Sequence, residues 1–124
     1  MPNKFKQKAA RAQRRRRRVR GRVSGTAEVP RLTVAKSLNN MYVQVIDDLK
    51  KTTLVGLGTD SKEIAARFKD KDTKTDKAKK IGQAIAEKAV ALGLKQVVFD
   101  RNRFRYHGRI KAVAEGAREK GLEF

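Results

Sequence analysis

Three short runs in which apolar and polar residues alternate lie between residues 31 and 59, and two longer stretches of helical period follow them. Arg31-Leu32-Thr33-Val34-Ala35 puts Leu32 and Val34 on one face at period two, the pattern of a half-buried strand introduced by Pro30. Ser37 to Asn40 carries turn residues, and Met41 to Ile46 repeats the alternation with Val43 and Val45. Asp47-Asp48 and Lys50-Lys51 surround a hairpin turn, after which Thr53 to Thr59 forms a third strand. Gly56 and Gly58 stand two apart on one face of it, which predicts close packing against that face. The three runs predict an antiparallel meander.

Beyond them the period lengthens. Ser61 can cap a short helix over Lys62 to Phe68, and Lys69-Asp70-Lys71-Asp72 reads as exposed loop. Thr75 or Asp76 supplies an N-cap for a longer helix. Its buried stripe is Ala78, Ile81, Gly82, Ile85, Ala89 and Leu92, with Gly93 just past its end. Gln96-Val97-Val98-Phe99 is short and largely apolar, which predicts a fourth strand in the sheet interior. A last helix runs from about Arg109 to Lys120, burying Ile110, Val113, Ala114 and Ala117 and stopping at Gly121. The order β-β-β-α-β-α predicts an α/β fold: a mixed sheet, built from a three-stranded antiparallel meander plus one more strand, packed by helices.

Charge changes this picture at the N-terminus. Lys and Arg number 32 against 13 Asp and Glu, for a net charge of +19. Residues 1–25 hold Lys4, Lys6, Lys8, Arg11, Arg14, Arg15, Arg16, Arg17, Arg18, Arg20 and Arg22 with no acid among them, leaving +8 for residues 26–124. The apolar groups in this stretch are too few to offset the entropy of ordering it. Residues 1–25 therefore read as a basic arm, flexible when free and helical or extended once phosphates neutralise it. Ser24-Gly25-Thr26 serves as a flexible joint, and residues 26–124 read as a single globular domain. Guanidinium forks match phosphate oxygens two at a time, which suits the preponderance of Arg.

Such a balance calls for a polyanion, nucleic acid first and an anionic membrane second. No run approaches the roughly 20 apolar residues of a membrane span, and no secretory h-region follows the basic start. A mitochondrial presequence would share the arm's Arg-rich, acid-poor character. With no cysteine there is no disulfide and no thiol chemistry, which fits a reducing cytoplasmic compartment.

The unusual segment of the body is Phe99 to Arg109, between the fourth strand and the last helix. From 101 to 111 it has five Lys and Arg residues, Arg101, Arg103, Arg105, Arg109 and Lys111, and no acid, with Phe104 and Tyr106 interleaved with Arg103 and Arg105. Cations that hold phosphate, alternating with rings that stack on bases, suit an RNA-binding loop. Gly108 and the first amides of the helix add donors for a phosphate. The competing reading has Phe104 and Tyr106 plugging the core. The first hairpin turn, with Lys36, Ser37, Asn39, Asn40 and Tyr42, offers further donors to sugar and phosphate, or is merely polar. His107, the single histidine, has only dispersed carboxylates for company, so neither a metal site nor catalysis is expected. Asp100 can orient Arg101 or cap the loop. Gly56-Leu57-Gly58 lacks the spacing of a nucleotide loop. No cofactor, small-molecule substrate or membrane partner is expected.

These residues resemble the family of bacterial large-subunit ribosomal protein eighteen. The likeness lies in Phe99-Asp100-Arg101, in Tyr106-His107-Gly108-Arg109 and in the ending Gly121-Leu122-Glu123-Phe124. Upstream it includes Gly25-Thr26-Ala27-Glu28, Pro30-Arg31-Leu32, Ser37 with Asn39, Tyr42 to Asp48 and the basic arm. The resemblance implies a ribonuclease-H-like fold without catalytic carboxylates. It further implies binding to 5S rRNA, attachment of that RNA to 23S rRNA in the central protuberance, and ribosomal protein five as a neighbour. RNA contacts are implied at the arm and at Arg31, Ser37, Asn39, Tyr42, Arg101, Tyr106, His107 and Arg109. Val29, where the family often has Arg, and Ala35-Lys36, where an aromatic and Arg are common, depart from its pattern. The expected product is thus a non-enzymatic RNA-binding subunit of the cytoplasmic large ribosomal subunit. A general nucleic-acid-binding protein of nucleoid or RNA-chaperone type is the alternative on charge alone, and a nuclease would need carboxylates that the strand ends lack.

Overall fold

In the computed structural model, residues 4–20 and 24–124 are described. A 17-residue helix, α1 (Lys4–Arg20), precedes the sheet strands β1 (Arg31–Lys36), β2 (Met41–Asp47) and β3 (Thr52–Gly58). After them come α2 (Lys62–Ala65), α3 (Lys74–Ala91), β4 (Val98–Asp100) and α4 (Arg109–Glu119). The α/β order and the mixed four-stranded sheet agree with the sequence reading. The sheet order is β3-β2-β1-β4, antiparallel at β1–β2 and β2–β3 and parallel at β1–β4.

Alternation buries the expected face. Leu32, Val34, Met41, Val43 and Val45 are at most 1% exposed, while Tyr42 and Gln44 between them point away and stay exposed. The meander turns on Asp47, whose Oδ1 accepts from the amides of Leu49 and Lys50 at 3.0 and 3.3 Å. α3 packs against β2 and β3, and α4 packs chiefly on α3. Ile81, Ile85, Ile110 and Val113 complete one core with the strand residues.

Two glycines set the distance between α3 and α4. A Cβ on Gly82 would lie 2.2 Å from the Val113 carbonyl oxygen, and one on Gly116 would lie 2.2 Å from that of Lys79. Backbone therefore meets backbone at both positions. Gly82→Ala would gain about 1 kcal/mol of helix propensity but meet overpacking at the upper end of roughly 1–3 kcal/mol. The expected result is a net loss of about 2 kcal/mol, read as a lower denaturant midpoint at unchanged m-value.

Several expectations need correction. β4 lies at the sheet edge, with β1 its one partner strand, and begins at Val98. Gln96 makes only an isolated bridge to Glu123. Its apolar run is satisfied otherwise: Val97 enters the core, and Phe99 stacks on Phe124 with ring centroids 5.6 Å apart. The N-cap of α3 is Thr73, ahead of Thr75 and Asp76, because Asp76 at the third helical position completes a reciprocal capping box with it. α2 stops at Ala65, well short of Phe68. Leu92 is 61% exposed and falls outside the buried stripe. Close packing holds at Gly58, where a Cβ would meet the Tyr42 ring at 2.8 Å, but not at Gly56, where the nearest atom is 3.7 Å away. Gly25, read as a flexible joint, is buried; its amide donates to Asp48 Oδ2 at 2.7 Å, and its carbonyl accepts from the Asp48 amide.

Candidate nucleic-acid interface

The Phe99–Arg109 segment is folded on itself before it meets anything else. Asp100, fully buried, accepts from the Asn102 amide through Oδ1 at 2.8 Å, which caps the loop as expected. Asn102 takes the left-handed conformation at φ 60°, a state this residue type tolerates. Its side chain donates to the Val34 carbonyl at 3.2 Å and accepts from the Arg103 amide, pinning the loop to β1. Arg101 is half-buried and donates to the Phe104 carbonyl at 2.7 Å, so its guanidinium is partly spent on the loop itself.

Phe104 packs on the core with Lys36 Nζ 5.3 Å and Arg103 Cζ 5.1 Å from its ring centre. The core-plug reading describes this ring. Tyr106 differs, being 42% exposed. Its ring meets Phe99 edge-on at 5.9 Å, and its hydroxyl accepts from Arg118 Nη1 at 3.0 Å. Arg118 also lies 4.4 Å over Phe124, which stacks on Phe99, so one guanidinium braces the whole aromatic cluster. Arg105, His107 and Gly108 are exposed. Gly108 adopts φ 57° and ψ −123°, a combination open only to glycine, and this turns the chain sharply into α4.

Long-range contacts bring the first hairpin turn to this loop. Arg109 Nη1 donates to the Ser37 carbonyl at 3.3 Å, and Lys74 Nζ donates to the Leu38 carbonyl at 2.7 Å. Between these elements lies an open cleft of about 800 Å³, bounded by Lys36, the start of α3 and residues 105–109. Ser37 and Asn40 hold the turn, since Ser37 Oγ accepts from the Asn40 amide at 3.2 Å. Asn39 is exposed at its tip.

Two candidates lie apart from the cleft. Tyr42 lines a separate hollow with Thr33 and Gln44. Its hydroxyl donates to Asp60 at 3.0 Å, and this bond raises the phenol's pKa above its usual value. Arg31 is only 7% exposed. It forks onto Asp48 through Nε and Nη2, both at 3.0 Å, and donates to Asp100 through Nη1 at 2.5 Å. Burial alone would lower its pKa, but the bonds to Asp48 and Asp100 outweigh that and raise it.

On α1, Lys6, Lys8, Arg11, Arg14, Arg15, Arg17 and Arg18 are exposed and Arg16 is half-buried. Lys4 and Arg20 belong to the helix, and Arg22 lies outside the described residues. Among the described residues no three His, Cys, Asp or Glu side chains gather as for a metal, and no helix is long and apolar enough to cross a membrane.

Sequence reasoning missed Lys74 and Thr75 in the cleft, Asn102 in the loop and Arg118 beneath Tyr106. Asn102 carried a usable signal, because an Asx residue in a short charged loop is a candidate for positive φ. The other three are brought in from distant elements, and nothing local marks them.

The family model for ribosomal L18 of archaea, bacteria, mitochondria and chloroplasts matches residues 6–124. The chain is 52% identical over 112 residues to large ribosomal subunit protein uL18 of Anaeromyxobacter sp. (strain Fw109-5), covering 90% of this chain and 93% of that one. It is 53% identical over 119 residues to the protein of that name from Chloroherpeton thalassium, covering 96% and 98%. With that of Ligilactobacillus salivarius it shares 50% over 112 residues, covering 90% and 91%. These relatives are ribosomal proteins and not enzymes, and with a match across nearly its whole length, the chain belongs to the ribosomal L18 family.

Proposed function

We propose that the protein binds 5S rRNA within the large ribosomal subunit and helps attach it to 23S rRNA in the central protuberance, with ribosomal protein five as a neighbour. The observation that carries this reading is the meeting of the 101–109 loop with the 36–40 turn in one cationic surface. Residues 1–25 act as a basic arm that supplies sequence-independent affinity through phosphate contacts at its Lys and Arg side chains. The folded domain, residues 26–124, supplies selectivity. Its proposed RNA contacts are Lys36, Ser37, Asn39, Asn40, Arg103, Arg105, Tyr106, His107, Gly108 and Arg109. Arg101 and Phe104 shape the loop more than they face outward. Tyr42 remains a contact through its exposed ring, whereas Arg31 is assigned a structural role because two carboxylates occupy its guanidinium.

Binding of purified protein to 5S rRNA and to a random duplex of equal length, at physiological salt, tests the reading. A clear preference for 5S rRNA supports it, and equal affinity rejects it in favour of a general nucleic-acid binder. Tyr106→Ala should weaken RNA binding by about 1–3 kcal/mol if the ring stacks on a base. The change in thermal stability should be small, since the ring is 42% exposed. Loss of folding without selective loss of binding would make Tyr106 a core plug.

A further inference from the structure

Four cations border the cleft at the head of the two long body helices: Lys36 from β1, Lys74 from the first turn of α3, Arg105 from the loop and Arg109 from the first turn of α4. Among the described residues no acidic side chain lines it. Some cations of the body have carboxylate partners, as in Arg67–Glu87, Lys79–Glu119 and Lys80–Asp72, but among the described residues none of these four does. Lys74 and Arg109 donate only to neutral carbonyls of the hairpin turn, and Lys36 lies over a ring, so their charge remains uncompensated. Four like charges held around one concavity repel one another, and an anion between them removes that cost.

The elements around the cleft add to its polarity. α4 has neither a side-chain cap nor an acid in its first turn, so its leading amides keep their positive end. Thr75, in the first turn of α3, is exposed on the cleft wall. A single phosphodiester carries one negative charge and would balance only one of the four cations. An opening of about 800 Å³ admits more than one such group.

We infer that this cleft seats a stretch of RNA backbone with successive phosphates, and that Lys74 and Thr75 of α3 belong to the RNA-binding surface together with Lys36, Arg105 and Arg109. The inference rests on the RNA-binding reading above and adds to it a defined phosphate seat that includes α3. The seat is preorganised, because the bonds from Lys74 and Arg109 to the turn hold its two walls together before RNA arrives.

Two variants of the full-length chain test it, Lys74→Gln and Thr75→Glu, with Lys95→Gln as a control on an exposed lysine outside the cleft. Affinities for 5S rRNA and for a random duplex are measured from 50 to 200 mM salt. Lys74→Gln should lower the slope of log affinity against log salt by about 1, and more than Lys95→Gln does. Thr75→Glu puts a carboxylate at a helix start, where it favours the fold, so the thermal midpoint should hold or rise. It should nevertheless weaken RNA binding on the order of tenfold, because it faces phosphate. Wild-type slopes and affinities in both cleft variants, with the fold intact, would overturn the phosphate seat. Should the wild type show no preference for 5S rRNA while the variants still lose slope, the seat stands and the 5S reading falls.

Discussion

Arg31→Ala is expected to destabilise the body by about 3–5 kcal/mol, because it strips a buried charge network of its shared partner. Asp100 is fully buried, and without the guanidinium its Oδ2 loses a charged donor at 2.5 Å. Asp48 loses a two-pronged clamp and keeps its bonds to Gly25. For a domain whose total stability is about 5–15 kcal/mol, such a loss is a large fraction. Combining Arg31→Met with Asp100→Asn should recover part of it, since no unpaired charge then remains in the interior. The double-mutant cycle should show a coupling above about 1 kcal/mol. Losses under about 1 kcal/mol that simply add would mean that Arg31 is free to meet phosphate. The network also joins the base of the arm to the RNA loop, running from Gly25 through Asp48, Arg31 and Asp100 to Asn102. The Arg31 variant should therefore loosen the loop as well as the sheet, seen as faster amide exchange at Asn102 and Arg103.

Deleting residues 1–22 should have the largest effect on binding. The segment carries eleven Lys and Arg residues and no acid. If it neutralises about 6–10 phosphates, affinity for RNA should fall by roughly 10³–10⁵ between 50 and 200 mM salt in the full chain. Without it that dependence should flatten. The body should keep its fold, because the hydrophobic core cluster begins at Leu32. An unchanged salt slope would show that the arm does not touch the RNA.

Much of the fold was legible because it is written in local period. Leu32, Val34, Val43 and Val45 mark the meander, and Ile81, Ile85, Ile110 and Val113 mark the helices, since apolar spacing reports which face is buried. Boundaries were less legible. At the start of α3, Asp72, Thr73, Thr75 and Asp76 all have capping chemistry, and only the reciprocal bond between Thr73 and Asp76 decides among them. The apolar run of β4 does not say whether a second strand or an aromatic cluster covers it, and here the cluster does. The loop and the turn were recognisable as separate basic segments. Their meeting was not, because the bonds from Arg109 to Ser37 and from Lys74 to Leu38 span 72 and 36 residues. Arg31 illustrates the same limit: at the start of a strand it looks like a surface cation, and its partners stand 17 and 69 residues away.

The most direct test of the central claim is a hydroxyl-radical footprint on 5S rRNA with the full chain and with the chain lacking residues 1–22, both at low salt. A discrete protected region that survives removal of the arm, and shrinks in the Tyr106→Ala and Lys74→Gln variants, is the predicted result. Diffuse protection, or protection that vanishes with the arm, would contradict the claim by placing recognition in charge alone.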